Sequence, residues 1–135
     1  NGGEELTMVM DRSLAESVDR DALLEGVRSI GLGQGLSRLE TIEHGGAAMN
    51  ACWVIENAPA IYFKLPKLAA GGGSLWDFAA SACLFAELAI PASDIHGAPL
   101  ELNRQGSTFM NEKGVLFASS SALARAVCAT FAGSL

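Results

Sequence analysis

Positive charge is scarce in this chain. Nine Lys and Arg stand against fifteen Asp and Glu over 135 residues, a formal net charge of −6. The cations are scattered, so there is no basic stripe to neutralise a phosphate backbone, and a nucleic-acid polymer is excluded as a partner. Long apolar runs are also missing. None reaches the roughly 18 residues of a membrane helix, and Asn1 opens no charged-then-apolar leader, so no membrane partner is expected. Only three cysteines are present, Cys52, Cys83 and Cys128. They form neither the C-x₂-C pairs of a zinc site nor a dense even set of disulfides. Each lies in an apolar stretch and reads as a buried small hydrophobe in a reducing, cytoplasmic setting. The two histidines, His44 and His96, have no partner at ligand spacing and read as surface or satisfied residues. No nucleophile elbow, serine triad or zinc motif occurs.

Half of the residues are hydrophobic and 18% are charged, too apolar a balance for a disordered tail. The length suits one domain, residues 1–135, burying roughly 70% of its extended-chain surface. After a lead-in over Asn1–Glu5, Leu6–Met10 reads as a strand. Asp19 to Ile30 keeps the i, i+3, i+4, i+7 spacing of a helix at Leu23, Leu24, Val27 and Ile30, and Gly31–Gly35 ends it. Ser37–Glu43 follows as a strand with Leu39 and Ile42 inward, then a Gly45-Gly46 turn and a helix over Ala47–Glu56. Asn57-Ala58-Pro59 breaks that helix and Ala60–Phe63 is a strand. Lys64–Gly73 reads as a loop, Leu75 to about Leu88 as a helix stopped before Pro91, and Ser93–Asn103 as irregular. Gly114–Ala118 is a buried strand, and Ser119–Ser121 caps a last helix from Ala122 to about Phe131. The alternation β-α-β-α-β-α-β-α predicts a layered α/β domain.

Among the candidate sites, Gly31-Leu32-Gly33-Gln34-Gly35-Leu36 has Leu36 where G-x-G-x-x-G needs glycine and follows a helix rather than a strand, and no G-K-[ST] follows Gly71–Gly73. Both read as turns. Ser74 at an N-cap would put Asp77 at the third helical position, close to a capping box. An ionised carboxylate there, favoured by the helix dipole, can cap the helix or give an oxygen to Mg²⁺, which takes few protein ligands. Gly45-Gly46-Ala47-Ala48 opens another helix without bulky side chains, so it can serve as a tight turn or let a ligand oxygen approach the backbone N–H groups.

The residues themselves carry a resemblance. Gly73-Ser74-Leu75-Trp76-Asp77-Phe78-Ala79-Ala80 is similar to the W-D-x-A-A signature of the inositol monophosphatase family. Those enzymes are Mg²⁺-dependent, lithium-sensitive phosphatases that include 3′(2′),5′-bisphosphate nucleotidases. Gly45–Cys52 resembles the family's G-x-A/S-A-x-x-x-C helix opening, and Ala58–Phe63 the A-D-x-Y strand after it. Asp94–Leu100 resembles D-x-x-G-x-P-L, Gly114–Ser119 the late strand ending in A-S, and Met8–Ser13 the S-R-S-H segment, with Arg12 and Ser13 kept and Asp11 and Leu14 differing.

The resemblance spans the chain and corresponds to the C-terminal half of such an enzyme. It implies a mixed sheet flanked by helices, half of an αβαβα sandwich. The family's upstream Glu-Glu and D-P-[IL]-D-G-[ST] segments are absent, and Glu4-Glu5 lacks the right neighbours to replace the first. The resemblance makes Asp77 a Mg²⁺ ligand that helps stabilise the leaving-group oxygen. It sets Gly46 and Ala47 against the substrate, a small phosphorylated molecule. The main metal ligands and the attacking water then belong to a missing N-terminal half, and the isolated chain is expected to be inactive. Glu87-Leu88-Ala89-Ile90 replaces the family's E-A-G-G, and Lys64–Gly73 is longer than in inositol monophosphatases and lacks their inositol-contacting Glu. The loop departure, with Asn103-Arg104, leans toward the nucleotidase-like relatives. The alternative is a non-catalytic binding or assembly domain on the same fold. If half of the enzyme is absent, an exposed apolar face or a self-associating surface is expected, giving a homo-oligomer.

Overall fold

The computed structural model describes residues 4–67, 73–103 and 105–132. Gly71 and Gly72, the start of the lead-in and Arg104 lie outside these residues. The described chain runs β1 (Glu5–Val9), α1 (Arg12–Ala15), α2 (Arg20–Gly33), β2 (Arg38–Ile42), α3 (Ala47–Glu56), β3 (Ala60–Lys64), α4 (Leu75–Glu87), β4 (Ala92–Ser93), β5 (Val115–Ala118) and α5 (Ser121–Phe131). The expected layered α/β fold is what forms: one five-stranded mixed sheet, ordered β2-β1-β3-β5-β4, with helices on both faces. β1 pairs in parallel with β2 and β3, while β5 runs antiparallel to β3 and to β4.

Strand pleating sorts the apolar residues into two cores. Leu6, Met8, Ile61, Phe63 and Leu116 face one way and pack under α2 and α5 through Leu24, Val27, Leu123 and Val127. Val9, Tyr62, Val115 and Phe117 face the other way, under α3 and α4, with Val54, Phe78 and Phe85. Because both faces are covered, β3 and β5 are apolar almost throughout instead of alternating. Phe117 anchors the second core, with Phe85 edge-on at 4.9 Å and Tyr62 and Phe78 each stacked at 6.1 Å.

The Gly31–Gly35 stretch ends α2 as expected: the helix runs through Gly33 and stops where Gly35 takes a left-handed φ of 77°. Leu36 N–H then bonds Gly31 O at 2.8 Å and Gly35 N–H bonds Leu32 O at 3.1 Å, a Schellman closure. The cysteines are not buried: Cys83 is exposed, and Cys52 and Cys128 are half-buried. Cys83 sits on the outer stripe of α4, where apolar sequence does not mean interior position. The short α1 and β4 also form, beyond the elements that periodicity foretold. Leu39 and Ile42 are half-buried because β2 is an edge strand. His44 and His96 are exposed, as the surface reading has it.

No helix among the described residues is long and apolar enough to cross a membrane.

Candidate functional site

The parallel half of the sheet creates the crevice. Right-handed crossovers put α2, between β1 and β2, on one face and α3, between β2 and β3, on the other. The chain therefore winds outward in opposite directions from β1, and helices diverge at the carboxyl ends of β1 and β3. That divergence is the usual ligand position in open α/β sheets. Asp11 follows β1 at this point, and Lys64 is the last residue of β3.

Asp11 ties the crevice together. Its Oδ1 accepts hydrogen bonds from Asn50 Nδ2 at 3.0 Å and from the Tyr62 hydroxyl at 3.1 Å. Its Oδ2 lies 2.6 Å from Lys64 Nζ, in a pair whose side chains are 16% and 21% exposed. Burial, more than any other cause, pushes the Tyr62 phenol well above its ordinary range. The Asp11 charge and hydrogen bond add to that, Asn50 opposes it, and the Asp77 charge adds a little more. Tyr62 is thus a neutral donor at the foot of the crevice. Asn50 Oδ1 is buried without a hydrogen-bond partner. Gly45 passes so close that a Cβ there would strike Asn50 Oδ1 and the Trp53 ring, which explains the first glycine of the turn.

The residues singled out in the sequence reach the same edge. Gly46 is the N-cap of α3, and Ala47 is its first residue. Gly46 supplies no side-chain cap, and the space where its Cβ would project is empty. The first-turn N–H groups of α3 are left for an outside acceptor. Asp77 lies in the first turn of α4, where its Oδ2 accepts the Ser74 N–H at 2.7 Å. It therefore makes the capping contact that its spacing from Ser74 foretold. α3 and α4 pack together and both run back from the carboxyl edge, so their positive dipole ends share it.

Among the described residues, no group of three or more His, Cys, Asp or Glu gathers as a metal site. Asp11 is already engaged by a cation and two hydrogen bonds. Asp77 is half-buried with one oxygen engaged, so it fits as a single ligand to a cation such as Mg²⁺ and not as a full set.

A cavity of about 580 Å³ opens beside this edge on the α2/α5 side. Asp11, Lys64 and Lys67 form part of its polar wall, and Leu23, Phe63 and Phe131 part of its apolar wall.

Sequence reading missed Asp11, Asn50, Tyr62 and Lys64 as a group. The available signal was composition against context: one Asn inside an apolar helix, the chain's sole Tyr inside a buried strand, and an Asp directly after another. In a comparison with known proteins, no family model and no curated protein matches this chain.

Proposed function

We propose that the chain supplies the C-terminal α/β half of a Mg²⁺-dependent phosphatase resembling the inositol monophosphatase family. It would act in the cytoplasm on a small phosphate monoester of the inositol phosphate or 3′(2′),5′-bisphosphate nucleotide class. The observation that carries this reading is the shared edge of α3 and α4. Two helix N-termini lie along it, one with the open backbone at Gly46 and Ala47 and the other with the Asp77 carboxylate. A second observation supports an absent half: the outer sides of α3 and α4 expose Met49, Trp76, Leu84 and Leu88, all more than 40% accessible. Free cysteines suit a reducing compartment.

In this reading Asp77 contributes one oxygen to the cation, and the missing half contributes the rest. When bound, Mg²⁺ supplies charge stabilisation and an acidified water. The chain's own groups orient the substrate. N–H groups at the start of α3 donate to its oxygens, the two dipoles favour its negative charge, and the Asp11–Asn50 contact fixes α3 against β1.

In an enzyme containing both halves, Asp77→Ala should reduce turnover on the order of a hundredfold or more at saturating Mg²⁺. Unchanged turnover removes Asp77 from the metal site. The isolated 135-residue chain should release no phosphate from monoesters. Mg²⁺-dependent hydrolysis by that chain overturns the division of labour proposed here.

A further inference from the structure

The Asp11–Lys64 pair occupies the place where the topology most favours a ligand. Lys64 ends β3, lines the 580 Å³ cavity and keeps part of its side chain accessible. Lys67 lines the same cavity and is exposed. Two lysines in one cavity wall would ordinarily draw a small anion. Asp11 and Asp19 line the same cavity, and Asp11 is the acid paired with Lys64. Asn50 and Tyr62 hold one of its oxygens, which fixes the carboxylate and turns the other oxygen onto Lys64 Nζ.

We propose that Asp11 is a specificity-determining residue, an internal counter-ion that closes Lys64 to phosphate-sized anions. An anion approaching Lys64 must displace a carboxylate fixed by two hydrogen bonds, or sit beside it and meet its repulsion in a half-buried setting. Under the phosphatase reading, on which this consequence rests, the crevice accepts the phosphate being cleaved at the α3/α4 edge. It disfavours a ligand whose second anionic group reaches toward Lys64. The ion-pair mechanism itself is independent of catalysis.

The test uses the 135-residue chain and inorganic phosphate, with binding followed by titration calorimetry and amide chemical shifts at low ionic strength. Asp11→Asn keeps an acceptor for Asn50 and Tyr62 and puts a neutral amide NH₂ where a charged oxygen faced Lys64. It should bind phosphate at least tenfold more tightly than the parent chain. Asp11→Asn combined with Lys64→Met should lose that gain. Asp11→Ser, which also lacks the charge, should reproduce the gain and serves if the Asn variant folds poorly. Equal affinity in the parent chain and both charge-free variants overturns the proposal. So does a gain that persists without Lys64. Because a gain of binding is expected, general loss of structure cannot imitate it. Because no turnover is measured, the result stands apart from the fate of the phosphatase reading.

Discussion

Both sides of the sheet have apolar cores, and their exteriors are very different. Under α2 and α5 the core contains Leu6, Met8, Val27 and Phe63, and under α3 and α4 it contains Val54, Tyr62, Phe78 and Phe117. The outside of α2 carries Arg20, Asp21, Glu25 and Arg28, including an Arg28–Glu25 pair at 3.0 Å, as a helix facing water should. The outside of α3 and α4 carries Met49, Trp76, Ala80, Cys83 and Leu84, and between Leu75 and Ala86 the sole charge is Asp77. Leu32 and Val18 are exposed on the first side as separate residues, whereas the second side presents neighbouring apolar residues on two packed helices. The contrast separates two kinds of hydrophobicity: one residue set builds the domain, and the other faces solvent.

That distinction is broken most forcefully from within. Phe117→Ala, on the α3/α4 side, should cost about 3–5 kcal/mol, and Leu116→Ala, on the other, about 2–5 kcal/mol. Urea melts of the two variants should both fall steeply. A mild loss in only one would mean that the interiors are not equivalent.

Alkaline pH should act on the α3/α4 side through Tyr62. The folded Tyr62 proton is held above its ordinary range near 10 by burial first and Asp11 second. The stability it gives is complete below that range and is lost as pH rises, because the unfolded chain releases the proton while the folded chain retains it. The slope should be about 1.4 kcal/mol per pH unit above 10. Tyr62→Phe should remove this contribution from denaturant melts taken across that range. An unchanged slope would show that the hydroxyl is not held neutral. Tyr62 is the chain's sole tyrosine, so the tyrosinate absorbance reports on it directly.

The helix caps sharpen the comparison further. Asp77→Ala on α4 and Ser120→Ala on α5, where Ser120 Oγ accepts the Leu123 N–H, should each cost about 1 kcal/mol in thermal melts. Only the α4 change should also affect activity in the two-half enzyme. If both or neither do so, the cap at Asp77 has no special role.

The smallest stability effects belong to the exteriors. Leu84→Lys on α4 and Ser29→Lys on α2 should each change stability by no more than about 0.5 kcal/mol. Leu84→Lys alone should weaken self-association or docking of a separately expressed N-terminal half, measured by sedimentation. Equal behaviour of the two variants would erase the distinction between the faces.

The fold was legible wherever one element repeated its own period. α3 begins and ends at Ala47 and Glu56, as its apolar run and flanking Gly and Asn-Ala-Pro predict. β4 has only two residues, too few to show a period, and α1 has four. The reversal of β5 against β3 depends on which side the chain returns to, a choice that no local residue encodes. The site was legible in part for the same reason. Asp77 announces itself through Ser74 within one turn, whereas Asp11 meets Asn50, Tyr62 and Lys64 only after three separate segments have folded together. Sequence could identify the carboxylate that caps a helix. It could not identify the one that fixes a lysine.

The parallel pairing of β1 has a consequence for synthesis. Leu6, Met8 and Val9 are synthesised before both of their strand partners, Arg38–Ile42 on one side and Ala60–Tyr62 on the other. The ribosome must therefore release the first crossover before β1 can pair with β2 and both before it can pair with β3, and nonlocal pairing of this kind forms slowly. Until then one of the chain's most apolar segments is an unpaired template for other strands. Leu6–Met10 is accordingly where a chaperone would bind the nascent protein, and where refolding at high concentration would first go wrong.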